Sequence, residues 1–440
     1  MAASRRKPSP DLAARVGGAL TPYLHAGDVI TVGFSGGLDS TVLLHLLARL
    51  APQFGFTLRA AHVHHGLQTA ADAWPAHCAA ICAELGVPFT LLHVAVDRAH
   101  PQGIEAAARA VRHAALRKLG GDWLALAHHR GDQAETLLHR LTRGSGVQGA
   151  AAMRIADTRN APPALLRPLL NEPRSELVTW AQAQNLTWIE DPSNSDTAYS
   201  RNFIRYTIMA PLQQRFPGAE AALARAAEHF GEAAELLGAL AAIDYTAVQE
   251  GKRARRSTLL SLSDARLANL LRQRLAARHW LAPDARQLEE ALRQLRSAQP
   301  PWHARFDSWA LCAQDDEVWI EPADPPSAPG SLIWRGEAQL DWGVVRLHFL
   351  PADAGAGLGL IPGRAELRPR SGGERIQPDP RRPARDLKTL AREHGVPSWL
   401  RDLIPVIWNA EKPVWYAGAA ECKAPGNYRI EHELLVALEF

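Results

Sequence analysis

Short hydrophobic runs alternate with helical patterns over the first third of the chain. Four runs, rich in β-branched and other apolar residues, predict buried strands: VITVGF (29–34), LRAAHV (58–63), PFTLLHV (88–94) and WLALAH (123–128). Helical patterns lie between them, near residues 40–50, 72–86 and 104–119. Strands that alternate with helices form a parallel sheet with crossover helices, so we predict an α/β fold here. In such sheets ligands bind beyond the carboxyl ends of the strands.

The rest of the chain shows different patterns. A long helical pattern covers 218–243, and the stretch EPADPPSAPG (321–330) predicts a linker. Beyond it, the alternation in WGVVRLHFL (342–350) predicts strands of a small α+β domain. We therefore predict a parallel-sheet domain at 1–216, a helical middle domain at 217–325 and an α+β domain at 331–440.

Composition and charge limit the binding partners and the cellular location that we expect for the protein. The chain has 440 residues and a net charge of only +3, but residues 251–310 carry a local charge of +7 and residues 361–401 one of +5. Such basic regions either bind the phosphates of a nucleic acid or form salt-bridged helix faces. The four cysteines form no C-x-x-C pair, which favours a reducing cytoplasm. No secretory signal is expected, and no apolar run approaches the about 18–20 residues of a membrane span.

The segment SGGLDS, directly after the first predicted strand, is the strongest candidate site. It comprises Ser35, Gly36, Gly37, Leu38, Asp39 and Ser40. Glycines between a strand and a helix N-terminus let backbone N–H groups bind an anion. The segment lacks the lysine of a Walker loop, and Asp39 at the helix start could instead hold Mg²⁺ against a phosphate chain. The alternative is a glycine turn capped by serine and aspartate.

A second polar segment, HHRGDQAET (128–136), follows the fourth predicted strand. Asp132 and Glu135 are three residues apart, so they share one face of the first helical turn. Two carboxylates there could hold a metal, bind an ammonium group or accept a proton. The alternative is that they only complement the helix dipole, because acids are favoured in a first turn.

Basic side chains are candidates for anion contacts. Arg109 and Arg112 lie three apart on a predicted helix, where they either contact phosphate or carboxylate groups or form a solvated basic face. Arg143 and Gly144 follow the acidic helix.

Three histidines, His62, His65 and His128, lie at the ends of predicted strands. We expect them to form hydrogen bonds with the backbone or with a nucleotide, since the cysteine and carboxylate partners of a metal site are missing.

In order and spacing, these motifs resemble those of a known enzyme family. SGGLDS resembles the signature of the PP-loop ATP pyrophosphatases (adenine nucleotide alpha-hydrolase-like fold), which cleave ATP between the α and β phosphates. Together with HVHHGL (62–67), GDQAET (131–136), EDPSNSDTAYSRNFIR (190–205) and the C-terminal LRPRSGGERI (367–376), it resembles the tRNA(Ile)-lysidine synthetase family. The resemblance covers most of the chain and is weakest over 240–330.

The resemblance implies a reaction and its participants. ATP, with Mg²⁺, would adenylate C2–O of the wobble cytidine in a tRNA(Ile) with a CAU anticodon, and free L-lysine would then displace AMP. Residues 35–40 would bind ATP, together with His62, His65, Arg109, Arg112, His128, Arg143 and Gly144. Asp39, Asp132 and Glu135 would be catalytic, and Arg201, Asn202 and Arg205 would help to place lysine or tRNA. The family often has an acid where this chain has Gly131.

Three other functions stay open at this point. A tRNA thiolase on the same loop would need reactive cysteines, whereas Cys78 and Cys82 lie four apart on an apolar helix pattern. An amide-forming ligase would not explain the basic C-terminal regions. A non-catalytic RNA-binding protein would not need both polar segments intact. The sequence leaves the oligomeric state open, including a homodimer.

Overall fold

The computed structural model forms two compact units, residues 1–236 and 237–440. Helix α10, Ala219–Val248, contains the division between them. The structure describes residues 11–66, 72–97, 104–159, 162–191, 200–250, 253–280, 283–324, 327–352, 357–378, 383–394, 396, 400–416, 420–421 and 428–434. Part of the loop 190–205 and Cys422 lie outside these ranges. The predicted domain boundary near residue 216 stays a prediction.

A six-stranded sheet organises the first unit. Its order is β3-β2-β1-β4-β6-β5, with all neighbours parallel except the edge pair β5 and β6. This confirms the predicted parallel sheet. After β3 the chain returns to the other side of β1, so the strand order reverses between β1 and β4, which is where open α/β sheets bind ligands. The strands are β1 Val29–Gly33, β2 Thr57–His64, β3 Phe89–His93, β4 Trp123–Ala125, β5 Ala156–Asp157 and β6 Ala164–Leu166.

Helices cover both faces of this sheet's central strands. Apolar side chains of α2, such as Val42 and Leu43, are fully buried in one core cluster with Ile30 and Val32 of β1. This packing fixes the start of α2 relative to the end of β1. The helical elements are α1 Leu12–Leu20, α2 Leu38–Phe54, α3 Trp74–Leu85, α4 Ile104–Arg117, α5 Arg130–Leu141, α6 Val147–Ala150, α7 Arg174–Ala183, α8 Ser200–Phe203, a π-helical turn Ile204–Met209 and α9 Ala210–Arg215.

The second unit begins with the end of α10 and a five-stranded sheet that the helical prediction did not include. The predicted helices are present, and the sheet, of order β7-β8-β11-β10-β9, packs one face against them. Its strands are too short for their alternation to stand out: WALCAQ and EVWIEP are six residues each. The elements are β7 Gln249–Glu250, β8 Arg253–Arg255, α11 Arg256–Leu259, α12 Asp264–Ala277, α13 Ala285–Ser297, β9 Trp302–Arg305, β10 Trp309–Gln314 and β11 Glu317–Pro322.

The remaining residues form the predicted C-terminal α+β region. Trp334, Trp342 and Trp415 are buried in its core. No described helix of the protein is long and apolar enough to cross a membrane. The elements are β12 Leu332–Trp334, β13 Gln339–Trp342, β14 Val345–Pro351, β15 Ala365–Arg368, β16 Arg375–Ile376, β17 Arg385–Asp386, α14 Leu387–Glu393, β18 Val406–Asn409, β19 Lys412–Tyr416, β20 Ala420–Glu421 and β21 Tyr428–Leu434.

Candidate nucleotide and substrate site

The SGGLDS segment joins β1 to α2 at the point where the strand order reverses. Ser35 Oγ lies 2.9 Å from Ser40 Oγ, and Ser40 Oγ donates a hydrogen bond to the Gly37 carbonyl at 3.0 Å. Thr41 Oγ1 donates to the same carbonyl at 3.0 Å. These bonds fix the loop to the first turn of α2, whose backbone N–H groups have no partner within the helix and can bind an anion.

Any residue other than glycine at position 36 would strain the loop. Its φ is +83°, and a Cβ there would lie 2.8 Å from Ile189 Cδ1 and 3.0 Å from Cys78 Sγ. Its carbonyl accepts a hydrogen bond from Ile189 N at 2.9 Å. The strand end is held by His62, whose Nδ1 donates to the Phe34 carbonyl at 2.9 Å. His62 therefore supports the loop through backbone, one of the two roles expected for strand-end histidines.

Asp39 lies in the first turn of α2 and next to a basic residue of α7. Its Oδ1 is 3.4 Å from Arg174 Nε, without hydrogen-bond geometry. The same oxygen is shielded from solvent and accepts no hydrogen bond from the described residues. A buried carboxylate oxygen with spare acceptor capacity fits a cation such as Mg²⁺.

The N-terminus of α5 is capped by a histidine side chain. His129 Nδ1 accepts hydrogen bonds from Gly131 N at 3.0 Å and Asp132 N at 3.4 Å, and Asp132 Oδ2 accepts one from His129 N at 2.9 Å. A Cβ at Gly131 would lie 2.9 Å from His129 Cε1 and 3.1 Å from Nδ1. The departure at Gly131 thus has a structural reason: a side chain there would crowd the capping imidazole.

Two arginines bind the two carboxylates of α5. Asp132 Oδ1 lies 3.1 Å from Arg201 Nη2 and 3.0 Å from Arg205 Nη2. Arg205 Nε donates to Glu135 Oε1 at 2.6 Å, and Arg201 Nε donates to Glu135 Oε2 at 3.3 Å. Asp132 and Glu135 are only 8% and 4% exposed. We call these four residues the acid–arginine cluster; its formal charges cancel.

The cluster keeps Asp132 ionised. Burial by itself would raise the pKa of Asp132, but His129, Arg201 and the hydrogen bond from the His129 backbone N–H outweigh it and lower this pKa to about 2. For Arg205, burial opposes the charged form, but the hydrogen bond to Glu135 outweighs it and raises the pKa above its ordinary value. A carboxylate with so low a pKa is a poor base near neutral pH. It remains a strong partner for cations.

On the other side of the site, imidazoles lie near arginines of α4. Burial, with Arg112, lowers the pKa of His65 to about 4, and burial, with Arg112 and Arg109, lowers that of His113 to about 4. Burial also lowers the pKa of His128 well below its usual value. These imidazoles are neutral near pH 7, and each has one buried ring nitrogen without a partner among the described residues: His65 Nδ1, His113 Nε2 and His128 Nδ1.

Arg167 adds a buried cation to this side and was missed in the sequence. It follows β6, donates to the Arg154 carbonyl at 2.8 Å and has a pKa lowered to about 10, chiefly by burial. Its signal was a lone charge after the apolar run ALL at the end of a sheet strand. His113 was missed as well, although it follows Arg112 directly. The arginines and neutral imidazoles together form a surface suited to an anion.

Arg143 and Gly144 follow the C-terminal end of α5, whereas Asp132 lies in its first turn. Both are exposed in the turn after α5, and Gly144 has a φ of +72° with open space around it. Arg143 lines a cavity of about 460 Å³ together with His139, Thr142, Ser200, Phe203, Ile204 and Ile208. The structure therefore brings Arg143 beside α8, the helix that carries Arg201.

Comparisons with known proteins agree with this site. Residues 10–212 match the PP-loop domain family, residues 255–319 the TilS substrate binding domain and residues 365–432 the TilS substrate C-terminal domain. The chain is therefore an ATP-using protein of the PP-loop class. A U34-tRNA thiolase of Methanococcus maripaludis has a solved structure that is 20% identical, with a TM-score of 0.44, over 50% of this chain and 78% of its own.

Closer relatives specify the family. A tRNA(Ile)-lysidine synthase of Aromatoleum aromaticum is 47% identical over 88% of this chain and 91% of the relative. Another, of Pseudomonas aeruginosa, is 42% identical over 96% of this chain and 97% of the relative. The chain belongs to the tRNA(Ile)-lysidine synthase family, whose members are ligases.

We expect Gly36→Ala to lower the affinity for ATP about fivefold or more. The new methyl group would press on Ile189 and Cys78 and would require a strained backbone, at a cost of roughly 1–3 kcal/mol. Equilibrium binding of ATP, with circular dichroism to check the fold, would measure the effect. The matched control is Gly66→Ala, which has a φ of +62° but open space around it. Equal ATP affinities in both variants would contradict the prediction.

Proposed function

We propose that this protein ligates free lysine to C2 of the wobble cytidine of a CAU-anticodon tRNA(Ile), using ATP and releasing pyrophosphate and AMP. The observation that carries the proposal is the meeting of the PP-loop and the acid–arginine cluster at one edge of the sheet, in a chain of the lysidine synthase family. The proposed substrates meet in the cytoplasm.

The first step would transfer AMP to the cytidine oxygen. The oxygen attacks the α-phosphorus, and pyrophosphate leaves with the electrons of the broken P–O bond. Backbone N–H groups of residues 36–40 would bind the phosphates, while Arg109, Arg112 and Arg167 would offset charge that develops there. Asp39 would hold Mg²⁺, which when bound supplies further neutralisation of phosphate charge.

The second step would attach lysine. The ε-nitrogen attacks C2, the C2–O bond breaks, and AMP leaves with that oxygen. Asp132 and Glu135 would attract and orient the positively charged groups of lysine at the edge of the acid–arginine cluster. The low pKa of Asp132 favours this electrostatic role over that of a base. The protons released by the amine would then pass to solvent water.

The thiolase alternative is less well supported by the cysteines. Cys78 and Cys82 of α3 are fully buried, and burial raises their pKa values to about 12 and about 11. A sulfur-transfer enzyme needs an accessible thiolate or a cluster of metal-ligating side chains, and among the described residues neither is found at Cys78 and Cys82. Cys78 instead packs under the nucleotide loop, next to Gly36.

A direct assay tests the proposal. We expect incorporation of labelled lysine into tRNA(Ile) with a CAU anticodon only when ATP is present, with one pyrophosphate released per lysine attached. A methionine tRNA with the same anticodon is the control substrate and should incorporate little. Release of pyrophosphate with tRNA but transfer of sulfur instead of lysine would support the thiolase alternative and refute the proposal.

We expect Asp132→Asn to raise the KM for lysine by roughly 30-fold or more, since loss of one member of a buried charge pair costs about 2 kcal/mol or more. Because the folded pKa of Asp132 is about 2, it stays charged throughout an assay from pH 6 to 9, so protonation of Asp132 causes no loss of rate there. The pH profile of the variant should therefore parallel that of the wild type.

The matched control is Glu220→Gln. Glu220 accepts a hydrogen bond from Arg130 Nε at 2.9 Å, next to α5 but outside the cluster, so its loss should leave the KM for lysine unchanged. An acid limb that is present in the wild type and absent in Asp132→Asn would show that Asp132 acts as a base. That result would overturn the electrostatic role.

The outer face of α8 and the π-helical turn offers a surface for RNA bases. Phe203 and Tyr206 are both 46% exposed, and Phe203 lines the same cavity as Arg143. Exposed aromatic rings beside a cation are typical of surfaces that stack unpaired bases. Because Arg201 and Arg205 lie on the same short segment, RNA bound there would be adjacent to the acid–arginine cluster.

We expect Phe203→Ala to raise the KM for tRNA roughly 5- to 100-fold, the range for loss of one stacked base, and to leave the KM for ATP unchanged. Steady-state kinetics with each substrate varied in turn would measure this. Leu236→Ala removes another exposed apolar side chain, 72% exposed, and serves as the control. Equal effects of both substitutions would argue against stacking at Phe203.

A further inference from the structure

Three side chains that commonly ligate metals meet on one face of the sheet in the second unit. His303 of β9 pairs in register with Cys312 of β10, which pairs with Trp319 of β11. Glu321 lies two residues beyond Trp319, so it points to the same face. One donor atom from each of His303, Cys312 and Glu321 lies within 4.8 Å of the other two.

The surroundings of these side chains restrict their orientation. Glu321 Oε1 lies 2.9 Å from His303 Nε2, and Trp319 Nε1 donates to Glu321 Oε2 at 3.2 Å. Glu321 and Cys312 are buried, whereas the His303 side chain is 41% exposed. Three neighbouring strands thus present an imidazole, a thiol and a carboxylate, with an opening to solvent at the imidazole.

The electrostatics favour a cation between these donors. Two of the three donors, the Cys312 thiol and the Glu321 carboxyl group, are buried and are anionic when they ligate a metal ion. The Arg253 guanidinium stacks on the Trp319 ring at 4.9 Å from its centroid and pairs with Glu317. A bound divalent cation would compensate both anionic donors at once.

We propose that His303, Cys312 and Glu321 form a binding site for a zinc-like divalent metal ion. Nitrogen, sulfur and carboxylate donors are the set that Zn²⁺ prefers, and three protein ligands leave a fourth position open toward solvent. Bond lengths of about 2.0–2.3 Å place tetrahedral ligands roughly 3–4 Å apart, within reach of this cluster by side-chain rotation. On binding, the thiol proton passes to solvent, and the metal replaces the His303–Glu321 hydrogen bond.

This site lies in a different unit from the nucleotide loop. Cys312 and Trp319 belong to the same core cluster as Trp334 and Trp342 of the C-terminal region. A metal bound here would connect the edge strand β9 to β10 and β11 on the face that meets this core. The inference is independent of the proposed lysine ligation.

Titration of the chelator-treated full chain with Co²⁺ tests the site. We expect one Co²⁺ per chain, tetrahedral bands in visible absorption and a thiolate-to-cobalt charge-transfer band in the near ultraviolet, all lost when Zn²⁺ is added. Cys312→Ser should abolish the thiolate band. His303→Ala should weaken Co²⁺ binding at least tenfold, and Trp319→Phe, which removes the hydrogen bond to Glu321, should weaken it roughly 10- to 100-fold.

Controls separate this site from other metal ligands of the chain. His348→Ala removes a partly exposed strand histidine that pairs with Glu433, and Cys82→Ser removes another buried thiol; both should keep the bands. Asp39→Asn should keep them too. The proposal is overturned if the thiolate band is absent or survives Cys312→Ser. Should Cys312→Ser lose its fold by circular dichroism, unchanged Co²⁺ affinity in His303→Ala overturns it instead.

Discussion

Burial of two carboxylates at the start of α5 is the constraint on which the rest of the site depends. Asp132 and Glu135 lie where the sheet ends, and an uncompensated buried carboxylate costs several kcal/mol. Arg201 and Arg205 provide the compensation, although they are some 70 residues away in sequence. The segment that carries them is thereby held against α5, where Ile204 and Met209 also pack on Ala134.

Neutralisation of the two buried acids accounts for the conformation of the segment that carries Arg201 and Arg205, and for its chemistry. Arg205 lies in a π-helical turn, an irregularity that is frequent at functional sites, and its guanidinium bridges the two acids. Because the four charges cancel, a further cation would bind through individual carboxylate oxygens that the arginines already hold in place, not through a net negative charge. The same short segment, residues 200–209, also exposes Phe203 and Tyr206. RNA bound to these rings would therefore be coupled to the position of the two arginines.

Strong local signals in the sequence made the parallel sheet, the glycine loop and the acid pair of α5 predictable. The β-branched runs and the glycine loop identified the parallel sheet, and the spacing of Asp132 and Glu135 placed both on one face of α5. The His129 cap was not predictable, because histidine is an uncommon N-cap residue and its role depends on the absence of a side chain at Gly131. Arg167 and the acid–arginine contacts depend on tertiary proximity, which residue spacing does not encode. The middle sheet was not predicted because its strands are short and most of them follow a region of strongly helical pattern.

Two neighbouring histidines after β4 lie between the part of the sheet edge that suits anions and the part that carries the two acids. His129 turns inward to cap α5 and helps keep Asp132 charged, whereas His128 remains neutral, with its Nδ1 buried and without a partner among the described residues. The pKa of His128 responds to Asp132 on one side and to Arg201, Arg167 and Arg109 on the other, after the larger effect of burial. His128 therefore lies where the region suited to anions meets the acids. Phosphate and amine can then occupy adjacent places, with a neutral group between them that adds no charge to either.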